Sequence, residues 1–174
     1  MAVVARFGMK RTTMVEIARA TGISRQTLYD RFGDKDGVMA ALINNLTARS
    51  VEALEAAFIQ ASDLGQKLDA YFDIAVWPIF DLMESMPDAR DFERGLGAAS
   101  RQASQDSSAL KRSILSDMLR PYLPDGPQDP IKVAAFLEQS STAAKMAATS
   151  REELRQFLGT LKAALLALSR SDSP

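Results

Sequence analysis

Between Thr13 and Phe32 the sequence TMVEIARATGISRQTLYDRF sets two short amphipathic stretches on either side of Gly22, a spacing that makes the chain double back. Thr13 is the expected N-cap of a helix over 14–20, and Ser24 that of a second over 25–32. Their side-chain oxygens accept amide hydrogens that a first helical turn leaves unpaired. Gly22 supplies the positive φ that the tight turn demands and that a Cβ resists. Ile17 and Leu28 are expected to meet inside the crossing, with Ala18 small where the helices approach and Ile23 plugging the corner.

With Leu28 and Phe32 facing inward, Arg25, Gln26 and Tyr29 point outward from the second helix, near its N-terminal end. That end of a helix-turn-helix meets base edges in the major groove of double-stranded DNA. Arg suits a bidentate contact with guanine and Gln one with adenine. Thr13 and Lys35 stand at helix starts, where free N–H groups and the helix dipole favour phosphate, and the Tyr29 hydroxyl suits the same partner.

Charge follows the same division. Residues 1–45 hold seven of the 21 Lys/Arg and four of the 22 Asp/Glu, so they carry +3 and the rest −4. The chain has no Cys and no His, which excludes disulfides, thiolate nucleophiles, imidazole triads and the common zinc sites. No metal, cofactor or enzymatic chemistry is expected. Gly95-Leu96-Gly97 lacks the further glycines and the strand of a phosphate loop and is expected to loosen or bend a helix. Asp88, Asp91 and Glu93 lie among Arg90 and Arg94 as a salt-bridged surface. Without a long apolar run or a secretion signal, a soluble cytoplasmic protein is expected, with no membrane partner.

The remainder of the 174 residues reads as all-α. A short first helix is expected over 3–7, and a long one behind Asp34 to about Phe58, with Met39, Ile43, Leu46, Val51, Leu54 and Phe58 on one face. Next come a helix from Leu64 to about Ser85 kinked at Pro78, one from near Asp88 to Gln105, and one from Ala109 to Tyr122. After a turn-rich loop over 124–130, helices over 131–148 and 151–169 complete the chain. The domains are therefore 1–45, a helix-turn-helix DNA-binding domain; 46–170, a helical effector-binding and dimerisation domain; and 171–174, a disordered tail.

Thr12-Thr13, Ile17-Ala18, Gly22-Ile23-Ser24, Thr27-Leu28-Tyr29, Phe32 and Asp34-Lys35 together resemble the signature of the tetracycline-repressor (TetR) family, over residues 2–45. The resemblance implies a homodimeric transcriptional regulator, usually a repressor, whose C-terminal domain binds a small molecule and draws the two DNA readers out of register. Carried over by residue, it implies phosphate contacts from Thr13, Tyr29 and Lys35, and base or backbone contacts from Arg25, Gln26 and Thr27. The family's first helix is longer than the segment before Gly8, so the sequence reads as if it started within that helix. A first helix shortened in this way would leave Leu28 and Phe32 less covered.

In the C-terminal part, Phe72, Trp77, Phe80, Met83 and Phe92 are candidates to line a pocket for a small apolar or amphipathic effector, because Met and aromatic side chains adapt to apolar guests. Plain core is the competing account for each. Leu154, Leu158, Leu161, Leu165 and Leu168 form a seam suited to another helix. With Ala143 and Ala147 on the preceding helix, Leu158, Leu161 and Leu165 are candidates for a four-helix dimer interface, against intramolecular core. The alternative to a DNA-binding regulator is a helical homodimeric protein-interaction module with impaired DNA binding.

Overall fold

The computed structural model describes residues 12–85, 96–123 and 129–170, and within them all regular structure is helical. The expected first helix over 3–7, the carboxylates at 88, 91 and 93, the loop over 124–128 and the tail over 171–174 lie outside the described residues.

Helices α1 (Met14–Thr21) and α2 (Arg25–Phe32) begin at the expected caps. Helix α3 (Lys35–Gln60) starts behind Asp34, whose carboxylate accepts the Gly37 N–H at 2.9 Å. Helix α4 (Leu64–Tyr71) is capped by Asp63, which accepts the Gln66 N–H at 2.8 Å. It runs into a π-helical turn at Phe72–Val76 and then α5 (Trp77–Glu84). The irregularity thus falls just before Pro78. Proline carries no N–H and its ring crowds the carbonyl four residues back; in the π turn the Trp77 N–H bonds to Phe72, five residues back.

Helix α6 (Ala98–Leu119) corrects the expectation of two helices meeting near residues 105–109. Ser107 and Ser108 are weak helix formers without the steric veto of proline, so the helix runs through them. Nor does Gly97 bend a helix; it stands directly before the first residue of α6. A 3₁₀ turn at Arg120–Tyr122 follows α6, then α7 (Pro130–Ala147) behind its Asp129 cap, and α8 (Arg151–Arg170).

The chain forms two compact units, Met1–Ala48 with Phe80–Ser107, and Arg49–Ile79 with Ser108–Pro174. In the first, Met14, Ile17, Ala18 and Leu28 make one apolar cluster, with Phe32 and Val38 packed against it. Leu28 is only 2 % exposed, so burying it anchors α2 and offsets the cost of ordering the turn. Ile23, expected to plug the corner, is instead exposed. The αL turn at Gly22 brings α1 and α2 together around Leu28, and the corner residue stays on the outside.

In the second unit, α8 packs against α7 and α4, and α7 also meets the π turn. Leu154, Leu158, Leu161 and Leu165 are all buried there, so the leucine seam of α8 is used within the protomer. A Lys162 to Asp69 ion pair at 2.6 Å joins α8 to α4. No described helix is long and apolar enough to cross a membrane.

Candidate nucleic-acid interface

The turn between α1 and α2 is built from three local devices. At its entry, Thr13 and Glu16 form a reciprocal capping box: the Thr13 N–H donates to the Glu16 carboxylate at 2.7 Å and the Glu16 N–H to the Thr13 hydroxyl at 3.3 Å. In the middle, Gly22 has φ +70° and ψ 10°, the left-handed conformation the spacing demands. At the exit, Ser24 accepts the Thr27 N–H at 3.1 Å, so α2 starts at Arg25.

These devices fix which side chains face outward. Leu28 points into the cluster, while Arg25, Gln26, Thr27 and Tyr29 are all exposed, Tyr29 by 47 %. Arg25, in the first position of α2, pairs with no carboxylate among the described residues, which leaves its guanidinium available to an anion or a base edge. Gln26 donates to the Asp30 carboxylate at 2.8 Å. The Thr27 hydroxyl shares a hydrogen bond with Ser24 at 2.8 Å, and the Thr13 hydroxyl lies 3.0 Å from the Glu16 carboxylate. Gln26, Thr27 and Thr13 therefore exchange an internal partner for any external one, whereas Arg25 and Tyr29 project freely. Lys35, half-buried, begins α3.

Two features of this unit went unnoticed in the sequence. Asp30 places a negative charge on the helix that carries Arg25, and its i,i+4 spacing from Gln26 was the available signal. Asp36 reaches the start of α6, more than 60 residues away, and no local pattern announces that contact.

The candidate effector residues divide between the units. Phe72 is buried in the second unit beside Tyr71, ring centroids 5.7 Å apart, and Trp77 is half-buried there with the Arg151 guanidinium 4.7 Å from its ring centroid. Phe80, buried, and Met83, half-buried, belong to the first unit, and Phe92 lies outside the described residues. The interior of the second unit also holds polar groups. Glu138 is 2 % exposed, 3.7 Å from the Arg112 guanidinium, and burial together with the Glu138 charge pushes the Tyr71 hydroxyl well above its ordinary pKa. Burial lowers Lys111, and Glu138 opposes that shift. Of the candidate dimer residues, Ala143 and Ala147 are exposed on α7, while Leu158, Leu161 and Leu165 are buried in the protomer. No group of metal-ligating side chains occurs among the described residues.

The described residues place a capped helix-turn-helix near the N-terminus, followed by a helical body. Residues 1–42 match the family described as bacterial regulatory proteins, tetR family. The match covers that N-terminal segment, and the chain as a whole is similar in fold to a solved TetR-family transcriptional regulator.

No curated protein matches the sequence. Among solved structures, the fatty acid degradation regulator FadR from Bacillus halodurans is similar with TM-score 0.69 and 17 % identity, over 95 % of this chain and 92 % of that one. A TetR-family transcriptional regulator from Pectobacterium atrosepticum is similar with TM-score 0.65 and 24 % identity, over 99 % and 90 %. The superantigen PfiT shares the fold as well, with TM-score 0.70 and 20 % identity over 98 % and 92 %. At these identities the likeness is one of fold, and function has to be argued from the site.

Proposed function

We propose that this protein is a DNA-binding transcriptional repressor that reads a near-palindromic operator as a homodimer and is released by a small apolar or amphipathic effector. The observation that carries the reading is the outward set Arg25, Gln26 and Tyr29 on a helix anchored by the buried Leu28. A reader of the major groove needs this combination: a rigid helix, a bidentate donor at its N-terminal end, and a hydroxyl and a lysine placed for flanking phosphates. Arg25 takes the base-reading role, Gln26 and Thr27 support it, and Thr13, Tyr29 and Lys35 hold the backbone.

Dimerisation is assigned to α7 and α8. Ala143 and Ala147 leave the outer surface of α7 low enough for close approach, and the exposed Phe136 and Phe157 supply apolar area that a second copy would cover. Leu158, Leu161 and Leu165 support that surface from beneath. The effector is assigned to the helical body, where Phe72 gives apolar contact and the buried Tyr71 and Glu138 offer polar partners.

A second reading, a helical homodimeric protein-interaction module with impaired DNA binding, draws on the fold shared with superantigen PfiT. Titrating a mixed-sequence duplex into the protein at increasing salt separates the two. A repressor binds at low salt and loses affinity steeply, because each neutralised phosphate releases counterions. Absence of binding at low salt favours the interaction module.

A further inference from the structure

Helix α6 begins at Ala98, and the residue in front of it is Gly97, which has no side-chain oxygen with which to cap the turn. The cap comes instead from Asp36, in the first turn of α3. Its carboxylate accepts the N–H of Gly97 at 3.0 Å, of Ala99 at 2.9 Å and of Ser100 at 3.3 Å, and it also accepts the Ser100 hydroxyl. Nearly all the orphan donors of the first turn are thus satisfied by one charged group from 61 to 64 residues away. The contact explains the glycine: a Cβ at position 97 would run into the Asp36 carboxylate.

A second polar joint lies farther along the same two helices. The Thr47 and Ser107 hydroxyls are 2.7 Å apart, and Thr47 also bonds to the Ile43 carbonyl at 2.8 Å. Asp36 precedes Thr47 and Ser100 precedes Ser107, so α3 and α6 run in the same sense between the joints. Asp36 is the neighbour of Lys35, and both follow the reading helix α2 within a few residues. A negative charge against a helix N-terminus is favoured by the dipole, and charge-assisted hydrogen bonds of this kind are directional.

We infer that Asp36 is a positioning residue for the DNA reader: by capping α6 it fastens the first turn of α3, and with it Lys35 and the reading helix, to a fixed place on α6. The inference rests on the repressor reading and adds to it the contact through which reader placement is set. Two readers on an operator must meet half-sites one helical turn apart, so a reader free to swing loses affinity when both sites must be satisfied together. Nonspecific attraction to phosphates has no such geometric demand.

The test compares the wild-type chain with Asp36→Asn and Ser100→Ala, the latter removing a single donor and keeping the carboxylate. The DNA arm uses the inverted-repeat duplex that the wild-type chain enriches from a random pool, beside a mixed-sequence duplex of equal length. Asp36→Asn is expected to weaken operator binding about tenfold, equivalent to about 1.4 kcal/mol. Ser100→Ala is expected to weaken it less and to hold the mixed-sequence duplex as wild type does, whereas Asp36→Asn, with one negative charge fewer, is expected to hold that duplex at least as tightly as wild type.

A DNA-free arm measures the spin-label distance between cysteines introduced at the exposed Ala20 and Gln105, in a chain with no native Cys. The distribution is expected to be narrow in wild type and broad in Asp36→Asn. An unchanged distribution, or equal losses on both duplexes, overturns the inference. Failure of the wild-type chain to enrich any sequence counts against the repressor reading, and the label distances still decide whether Asp36 fixes the reader.

Discussion

Gln26 donates its side-chain amide to the carboxylate of Asp30, one turn later on the reading helix, at 2.8 Å. The pair stabilises α2 only modestly, by about 0.2–0.5 kcal/mol for an exposed i,i+4 contact. Its electrostatic consequence is larger, since Asp30 sets a negative charge on the surface that is to approach phosphate. Asp30→Ala is expected to shift the unfolding free energy by no more than about 0.5 kcal/mol while raising affinity for a mixed-sequence duplex at low salt. Chemical denaturation and duplex titration check the two halves; unchanged or weaker duplex binding would contradict the assignment of this helix to DNA.

Gly22 holds φ +70° with nothing within 4 Å of where a Cβ would sit. Replacing it with Ala therefore introduces backbone strain without a collision. Gly22→Ala is expected to cost about 1–2 kcal/mol, read as a lowered midpoint of urea unfolding with the slope unchanged.

Much of the reader was legible because its determinants are local. Thr13, Gly22 and Ser24 act on atoms within four residues of themselves, so short-range rules placed both helix starts and the turn. The body was legible as helical but less so in its joints. The break expected between Gln105 and Ala109 is absent, because Ser107 and Ser108 disfavour a helix without forbidding it. The kink expected at Pro78 appears as a π turn before it, and the outcome depends on the packing of Tyr71, Phe72 and Val76, all buried. Burial of the α8 leucines inside the protomer depends on where α4 and α7 lie, and the heptad spacing is the same whichever helix covers it. Asp36 was the deepest omission: its partners are distant in sequence, and an aspartate in a first helical turn has an ordinary local explanation.

Asp36 also gives the protein a pH signature. The Ser100 hydroxyl above all holds its carboxyl below the ordinary carboxylate value; burial opposes this, and the N–H groups of Ala99, Gly97 and Ser100 add to the lowering. A carboxyl depressed in the native state contributes stability that is complete above its unfolded pKa and is lost as the pH falls through the native value. The difference in unfolding free energy between wild type and Asp36→Asn should accordingly be flat near neutrality and shrink below about pH 4. Urea unfolding across the acid range measures it, and a difference that grows on acidification would contradict the sign.

The α7 and α8 surfaces separate protomer stability from assembly. Leu161 is buried, so Leu161→Ala is expected to cost about 2–4 kcal/mol of stability. Ala143 and Phe157 are exposed, so Ala143→Arg and Phe157→Glu should leave the melting temperature of the protomer nearly unchanged and abolish the proposed dimer. Light scattering coupled to size exclusion reads the mass directly. A dimer that survives both substitutions would place the interface elsewhere.

The most direct test of the central claim is selection of bound sequences from a random duplex pool at moderate salt, comparing the wild-type chain with an Arg25→Ala, Tyr29→Ala double variant. The wild-type chain is expected to enrich an inverted repeat, with half-sites about one helical turn apart, that the variant fails to enrich. Enrichment of no sequence by the wild-type chain, or of the same repeat by the variant, would contradict it.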